Sequence, residues 1–256
     1  MRLVDGAQAI AGDLPSASTT FIDVPLEAGD SQGTGVHRLS SIALVRDRVT
    51  EALRDVVDPV IAIGGDCGIS LGTIGALETD DVAVLWLDAQ PDLNTDESSP
   101  SGAFSGMVLR TLLGDGASAL VPSVRVAADK VVLAGVRSFD PGEDEYLAAT
   151  PIPTVNAAQF SAEALVAAIE STGANSVYIH IDLDVLDQGE IEGLLNVEPF
   201  GIPATTLIAA LRTVLERFTL AGASITSFAP TSPAAAVEDL PTILRIIGVL
   251  AQAAGR

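Results

Sequence analysis

Apolar, β-branched runs alternate along this chain with longer amphipathic ones, and two of the apolar runs end in carboxylates. These are Val82-Ala83-Val84-Leu85-Trp86-Leu87-Asp88 and Val177-Tyr178-Ile179-His180-Ile181-Asp182-Leu183-Asp184. A strand with little polar alternation must be covered on both faces, as in a parallel sheet between helices. Strands are expected over residues 20–24, 59–63, 82–88, 130–136, 177–184 and 224–228. Helices are expected over 37–57, 69–78, 105–113, 162–170, 204–217 and 240–253. Such alternation implies an α/β fold with a mostly parallel sheet and helices on both faces.

The core must be aliphatic, because 48% of the chain is hydrophobic and only 4% aromatic. At 256 residues, with no internal repeat and no long linker, residues 1–256 are read as one domain. A formal charge of −21 argues against nucleic acid, whose phosphates need Lys and Arg, and against an anionic membrane surface. No apolar run is long enough to span a bilayer, and the N-terminus has no basic start followed by an apolar stretch. A single cysteine fits a reducing cytoplasm, so a cytoplasmic location is expected.

Residues two apart on a strand point to the same face. Asp88, Gln90 and Asp92 can therefore line one side of a cleft, and Asp182 with Asp184 another. Carboxylates at the end of an apolar strand are expensive to desolvate unless paired or bound to a cation. Two such pairs favour a site for a hard divalent cation. Ligands of open α/β sheets bind beyond the carboxyl ends of the strands, where the Gly-rich loops 29–35 and 96–102 also fall. Gly64-Gly65-Asp66-Cys67-Gly68, taken alone, reads as a strand-to-helix turn with Asp66 as N-cap. Of the two histidines, His37 reads as a surface or packing residue, and His180 as a buried hydrogen-bonding partner rather than a ligand.

These segments together resemble the ureohydrolase superfamily of arginases, agmatinases and formiminoglutamases. Members carry Gly-Gly-Asp-His, then Asp-Ala-His-x-Asp, a His-Gly-Met-like turn and Asp-x-Asp-x-x-Asp-Pro. Here the same order reads Gly64-Gly65-Asp66-Cys67, Asp88-Ala89-Gln90-Pro91-Asp92, Ser105-Gly106-Met107 and Asp182-Leu183-Asp184-Val185-Leu186-Asp187-Gln188. The segment Gly135-Val136-Arg137-Ser138-Phe139-Asp140-Pro141-Gly142-Glu143 adds a further match. The resemblance runs from about residue 20 to the C-terminus. It implies a three-layer α/β/α fold around about eight strands, assembled as a homo-oligomer, commonly a trimer or hexamer.

The resemblance also implies roles. One ion would meet Cys67, Asp88, Asp92 and Asp182, and the other Asp88, Gln90, Asp182 and Asp184. Asp140 and Glu143 would receive a substrate amino group, and Asn94, Thr95 and Ser101 a substrate carboxylate. Ser105 stands where the family has a proton-carrying histidine, and Ser227 where a glutamate pairs with the guanidinium. Ala103 stands where the family has an asparagine, and Gln188 where it has a proline. Cysteine is a soft donor, so one hard cation (Mn, Mg or Ca) is expected rather than a manganese pair. The ligand would be a small guanidino or amino-acid-like molecule. Three readings follow: an amidinohydrolase with impaired or altered activity, a non-catalytic amino-acid-binding or interaction protein, and, ranked last, a zinc- or thiol-dependent hydrolase using Cys67.

Overall fold

The computed structural model describes residues 2–77 and 80–255. Six strands form one sheet among these residues: β1 (Ile61–Ile63), β2 (Val82–Leu87), β3 (Val131–Ala134), β4 (Thr154–Val155), β5 (Ser176–Asp182) and β6 (Thr219–Thr226). Their order across the sheet is β1-β6-β5-β2-β3-β4, and every pairing is parallel. The sheet is thus parallel as expected, with six strands rather than about eight.

The centre of the sheet is a lattice of matched residues. Leu85 lies beside Ile179, which lies beside Ala223, and Leu87 beside Ile181 and Ile225 in the same way. Side chains alternate across the pleat, so these residues share one core, with Val84 and Trp86 in the other. The first core is covered by α1 (Arg2–Gly12), α6 (Ala162–Ser171), α7 (Ala204–Arg217) and α8 (Pro233–Ala254), through Ile10, Leu165, Leu211 and Ile243. The second is covered by α2 (Leu39–Leu53), α3 (Ser70–Ile74) and α4 (Val108–Leu112), through Leu39, Leu71 and Leu109. Leu85 and Trp86 are both wholly buried, one on each side of the sheet.

Several expected elements differ, each for a local reason. Residues 20–24 form no strand, and Phe21 is 74% exposed. Arg48 donates to the Asp23 carbonyl and carboxylate in this stretch. The strand expected over 130–136 stops at Ala134, because Gly135 turns left-handed at φ +84 and passes so close to Val185 that a Cβ would clash at 2.4 Å. The helix expected over 37–57 starts at Leu39 after Arg38 adopts φ 61. The one expected over 69–78 narrows to Ser70–Ile74, and its end at Glu78 lies outside the described residues. The one expected over 240–253 begins earlier, at Pro233, where the Ser232 hydroxyl accepts from the Ala235 amide.

Two helices had no counterpart in the sequence reading. One is α5 (Pro141–Ala149), set by a capping box in which Asp140 and Glu143 satisfy each other's backbone ends. The other is α1, which lies against the chain just beyond β6. Gly6 permits this, since a Cβ there would stand 2.0 Å from the Phe228 carbonyl oxygen. Arg2 donates to the carbonyls of Leu194 and Ala229 and pins the same helix.

Leu85→Ala should lower unfolding free energy by about 2–5 kcal/mol in chemical denaturation, as expected for a cavity in a rigid core. Phe21→Ala, outside any strand, should change it by less than about 0.5 kcal/mol.

Candidate metal centre

The parallel sheet brings the carboxyl ends of β1, β6, β5 and β2 side by side, and the predicted ligands sit at those ends. Asp88 follows β2, Asp182 closes β5, Cys67 lies in the turn after β1, and Ser227 follows β6. Asp92 is reached by a left-handed step at φ 54, a conformation that aspartate tolerates better than most residues. Cys67, Asp88, Asp92, Asp182 and Asp184 are each at most 4% exposed.

Donors from several segments hold these oxygens. Asp182 accepts from the Asp184 amide at 2.9 Å, the Cys67 thiol at 3.0 Å, the Thr226 hydroxyl at 3.3 Å and the Ser227 hydroxyl. Asp88 accepts from the Gln90 amide at 2.8 Å, and Asp184 from the Ala89 amide at 3.1 Å. Asp66 caps the turn as read from sequence, accepting from the Gly68 amide at 2.9 Å. Gln90 is half-buried beside the cluster.

Burial raises the carboxyls of Asp88, Asp92 and Asp184 well above the ordinary range, and repulsion from neighbouring aspartates raises them further. The Cys67 thiol rises for the same two reasons. Asp92 Oδ2 is buried with no hydrogen-bond partner, as is His180 Nε2. Among the described residues, two groups have donor atoms within 4.8 Å of one another: Asp88 with Asp182 and Asp184, and Cys67 with Asp88, Asp92 and His180. Unpartnered buried atoms converging with unscreened carboxylates fit a divalent cation.

His180 is buried and hydrogen-bonded, as read from sequence: Nδ1 lies 2.9 Å from the Ser70 hydroxyl and 2.8 Å from that of Ser224. Burial pushes it down to about 3, so the ring is neutral, and it stacks on Trp86 at 3.6 Å. Its second nitrogen, 4.0 Å from Asp88 Oδ2, places it beside the cluster as well, which the sequence reading did not foresee. His37 is exposed ahead of α2.

The residues matched to substrate recognition form an adjoining network. Asn94 donates to Asp140 at 2.8 Å and accepts from the Ser98 hydroxyl at 2.9 Å. Both Glu143 oxygens accept backbone amides, from Leu93 and Asp140, each at 2.9 Å. Ser101 is on the exposed rim, where its hydroxyl accepts from the Ala103 amide. Thr95 and Ser98 close the same turn, and Ser105 is half-buried at the start of the segment leading into α4. Sequence reading gave no role to Arg137, whose guanidinium donates to the carbonyls of Gly135, Asp184, Val185, Glu198 and Pro199. It clamps the loop after β5 against the end of β3. A lone cation behind a strand-end glycine was the available signal.

The parallel α/β sheet carries its buried carboxylate cluster at the carboxyl edge, where the ureohydrolase-like motifs led it to be expected. The chain belongs to the arginase family, whose model matches residues 11–239. It is 31% identical over 199 residues to an arginase of Bacillus caldovelox, covering 72% of this chain and 64% of that protein. It is 30% identical over 178 residues to an N(omega)-hydroxy-L-arginine amidinohydrolase of Streptomyces lavendulae, covering 69% and 61%. The chain thus spans about three-fifths of the length of the curated relatives it matches. Among solved structures, Entamoeba histolytica arginase in complex with L-ornithine superposes with a TM-score of 0.81 at 25% identity, covering 90% of this chain and 83% of that one.

Glu143 gives a pH prediction. Burial raises it to about 7, so the folded state holds a proton that the unfolded chain releases from about pH 4.5. The folded state binds the extra proton, so stability falls as pH rises between those values. Between about pH 5 and about pH 8, Glu143→Gln should remove on the order of 2 kcal/mol of this loss, measured by denaturation at each pH.

Proposed function

We propose that this chain is an arginase-family metal protein with weakened hydrolysis of guanidino C–N bonds. In this reading one hard divalent cation (Mn, Mg or Ca) sits among Asp88, Gln90, Asp182 and Asp184. Such a cation, when bound, supplies a Lewis acid and an activated water for attack on a guanidinium or amidine carbon. Asp182 and Asp184 are oriented for this role by backbone amides and hydroxyls.

The observation that carries the impaired reading is the Ser227 hydroxyl, which is spent on Asp182. A carboxylate at that place would face an incoming cationic head-group, whereas the hydroxyl offers no charge to it. Losing a charge-assisted hydrogen bond weakens binding by about 1.5–3 kcal/mol. Among the described residues Ser105 has no basic hydrogen-bond partner to make it a proton carrier near neutral pH. Losing a general acid–base group lowers turnover by about 10²–10⁴-fold. Arginine hydrolysis should therefore be at least about 10³-fold slower than in a relative that has both groups.

A second reading, a non-catalytic amino-acid-binding or interaction protein, rests on Asn94 and Asp140, which are paired beside the cluster, while Glu143 is buried with both oxygens on backbone amides and positions that turn. The ornithine bound to the Entamoeba histolytica relative is consistent with an amino-acid-like ligand in either case. Within the same proposal the protein is a cytoplasmic homo-oligomer, a trimer or hexamer, which light scattering tests. Among the described residues no helix is long and apolar enough to cross a membrane.

Two measurements check the proposal. In calorimetric titration of chelator-stripped protein, one hard cation should bind the native chain and Asp184→Asn should lose most of that affinity; equal binding refutes the assignment. Urea release from arginine and agmatine with added manganese should stay at trace level. Robust turnover would reject the impaired reading.

A further inference from the structure

The Cys67 side of the cluster contains a donor set unlike the all-oxygen group beside it. Cys67 Sγ lies 3.9 Å from Asp88 Oδ2, and His180 Nε2 lies 4.0 Å from the same oxygen. Together with Asp92 these groups place sulfur, nitrogen and two carboxylates within 4.8 Å of one another. His180 is wholly buried and Asp92 is 3% exposed, and each has an atom without a hydrogen-bond partner.

We infer that Cys67, Asp88, Asp92 and His180 form a four-donor site for a borderline-soft divalent cation of the zinc class. Zinc accepts thiolate, imidazole and carboxylate in tetrahedral sets. Manganese and magnesium prefer oxygen and gain little from a thiolate. Tetrahedral bonds of about 2.0–2.3 Å separate donors by about 3.3–3.8 Å, so the widest pair must close by roughly 1 Å. The His180 environment suits ligation. Nδ1 sits between the hydroxyls of Ser70 and Ser224, and a proton donated from it to either leaves the Nε2 lone pair free toward the cluster. Metal-bound imidazoles are commonly oriented in this way through the other ring nitrogen. Stacking on Trp86, at 18° between planes, fixes the ring further.

Asp88 is common to this group and the all-oxygen one, so two different cations can share one carboxylate. The inference rests on the family reading's cluster but not on its hard cation. Loading the site requires Cys67 to lose its proton, so binding releases protons to solvent.

The test uses Co(II) as spectroscopic probe and Zn(II) as competitor on the full chelator-stripped chain. One Co(II) should bind with a thiolate charge-transfer band and the intense d–d spectrum of a four-coordinate ion, and Zn(II) should displace it. Cys67→Ser, nearly isosteric, should lose the charge-transfer band. His180→Gln should weaken Zn(II) by more than about 100-fold, since removing an outer partner alone costs about 10–100-fold. Ser224→Ala should weaken it within that outer-partner range. Asp184→Asn should keep the charge-transfer band while losing Mg or Ca, which separates failure of this site from failure of the hard-cation reading. Cobalt bound without the thiolate band, or no cobalt bound, overturns the inference. So does a natively folded His180→Gln protein with native Zn(II) affinity.

Discussion

Carboxylates buried together at the ends of adjacent strands are the constraint that organises this molecule. Each loses hydration and faces another of the same charge, so Asp88, Asp92 and Asp184 are all driven toward the protonated form. Donors are aimed at the cluster: the Gln90 amide at Asp88, the Ala89 amide at Asp184, and the Asp184 amide, the Cys67 thiol and the Thr226 and Ser227 hydroxyls at Asp182. Asp92 Oδ2 and His180 Nε2 are left unpartnered beside the cluster, where a cation would relieve the repulsion.

The rest of the architecture supports that edge. Parallel strands in the order β1-β6-β5-β2 bring residues distant in sequence to neighbouring carboxyl ends, which an antiparallel arrangement would send to opposite sides. Arg137 ties the loop after β5 to the end of β3 through several carbonyls, and α1 closes on the chain beyond β6 through Gly6 and Arg2. The network of Asn94, Asp140 and Glu143 is linked to the carboxylate cluster by one step of chain, since Glu143 accepts the amide of Leu93 beside Asp92. Changes in either part should therefore be felt in the other.

Much of the fold was legible from pattern. The apolar runs at 82–88 and 177–184 became the central strands, and the stripe over 204–217 became α7 with the same bounds. What failed had weak or misleading local signals. Residues 20–24 carry the apolar and β-branched residues of a strand, yet nothing in the sequence says whether a partner edge is available to them. The helix α5 has no apolar stripe, and its start depends on the reciprocal bonds of Asp140 and Glu143. The carboxylates were recognisable because they crowd the ends of two apolar runs; the strand rule that grouped them reaches only Asp182, since Asp88 and Asp92 lie beyond β2 and Asp184 in the short turn after β5.

Composition and periodicity by themselves determined a parallel α/β sheet, an aliphatic core and acidic residues gathered at strand ends. Those follow from local rules: two-residue pleats, helical repeats and the price of desolvating charge. Only the tertiary structure decided that His180 turns one nitrogen toward Ser70 and Ser224 and leaves the other beside Asp88. It alone decided that Ser227 is engaged by Asp182 and that Glu143 serves backbone amides. Such pairings depend on strand order and register between segments more than a hundred residues apart for His180 and Ser70, a separation that no local pattern encodes.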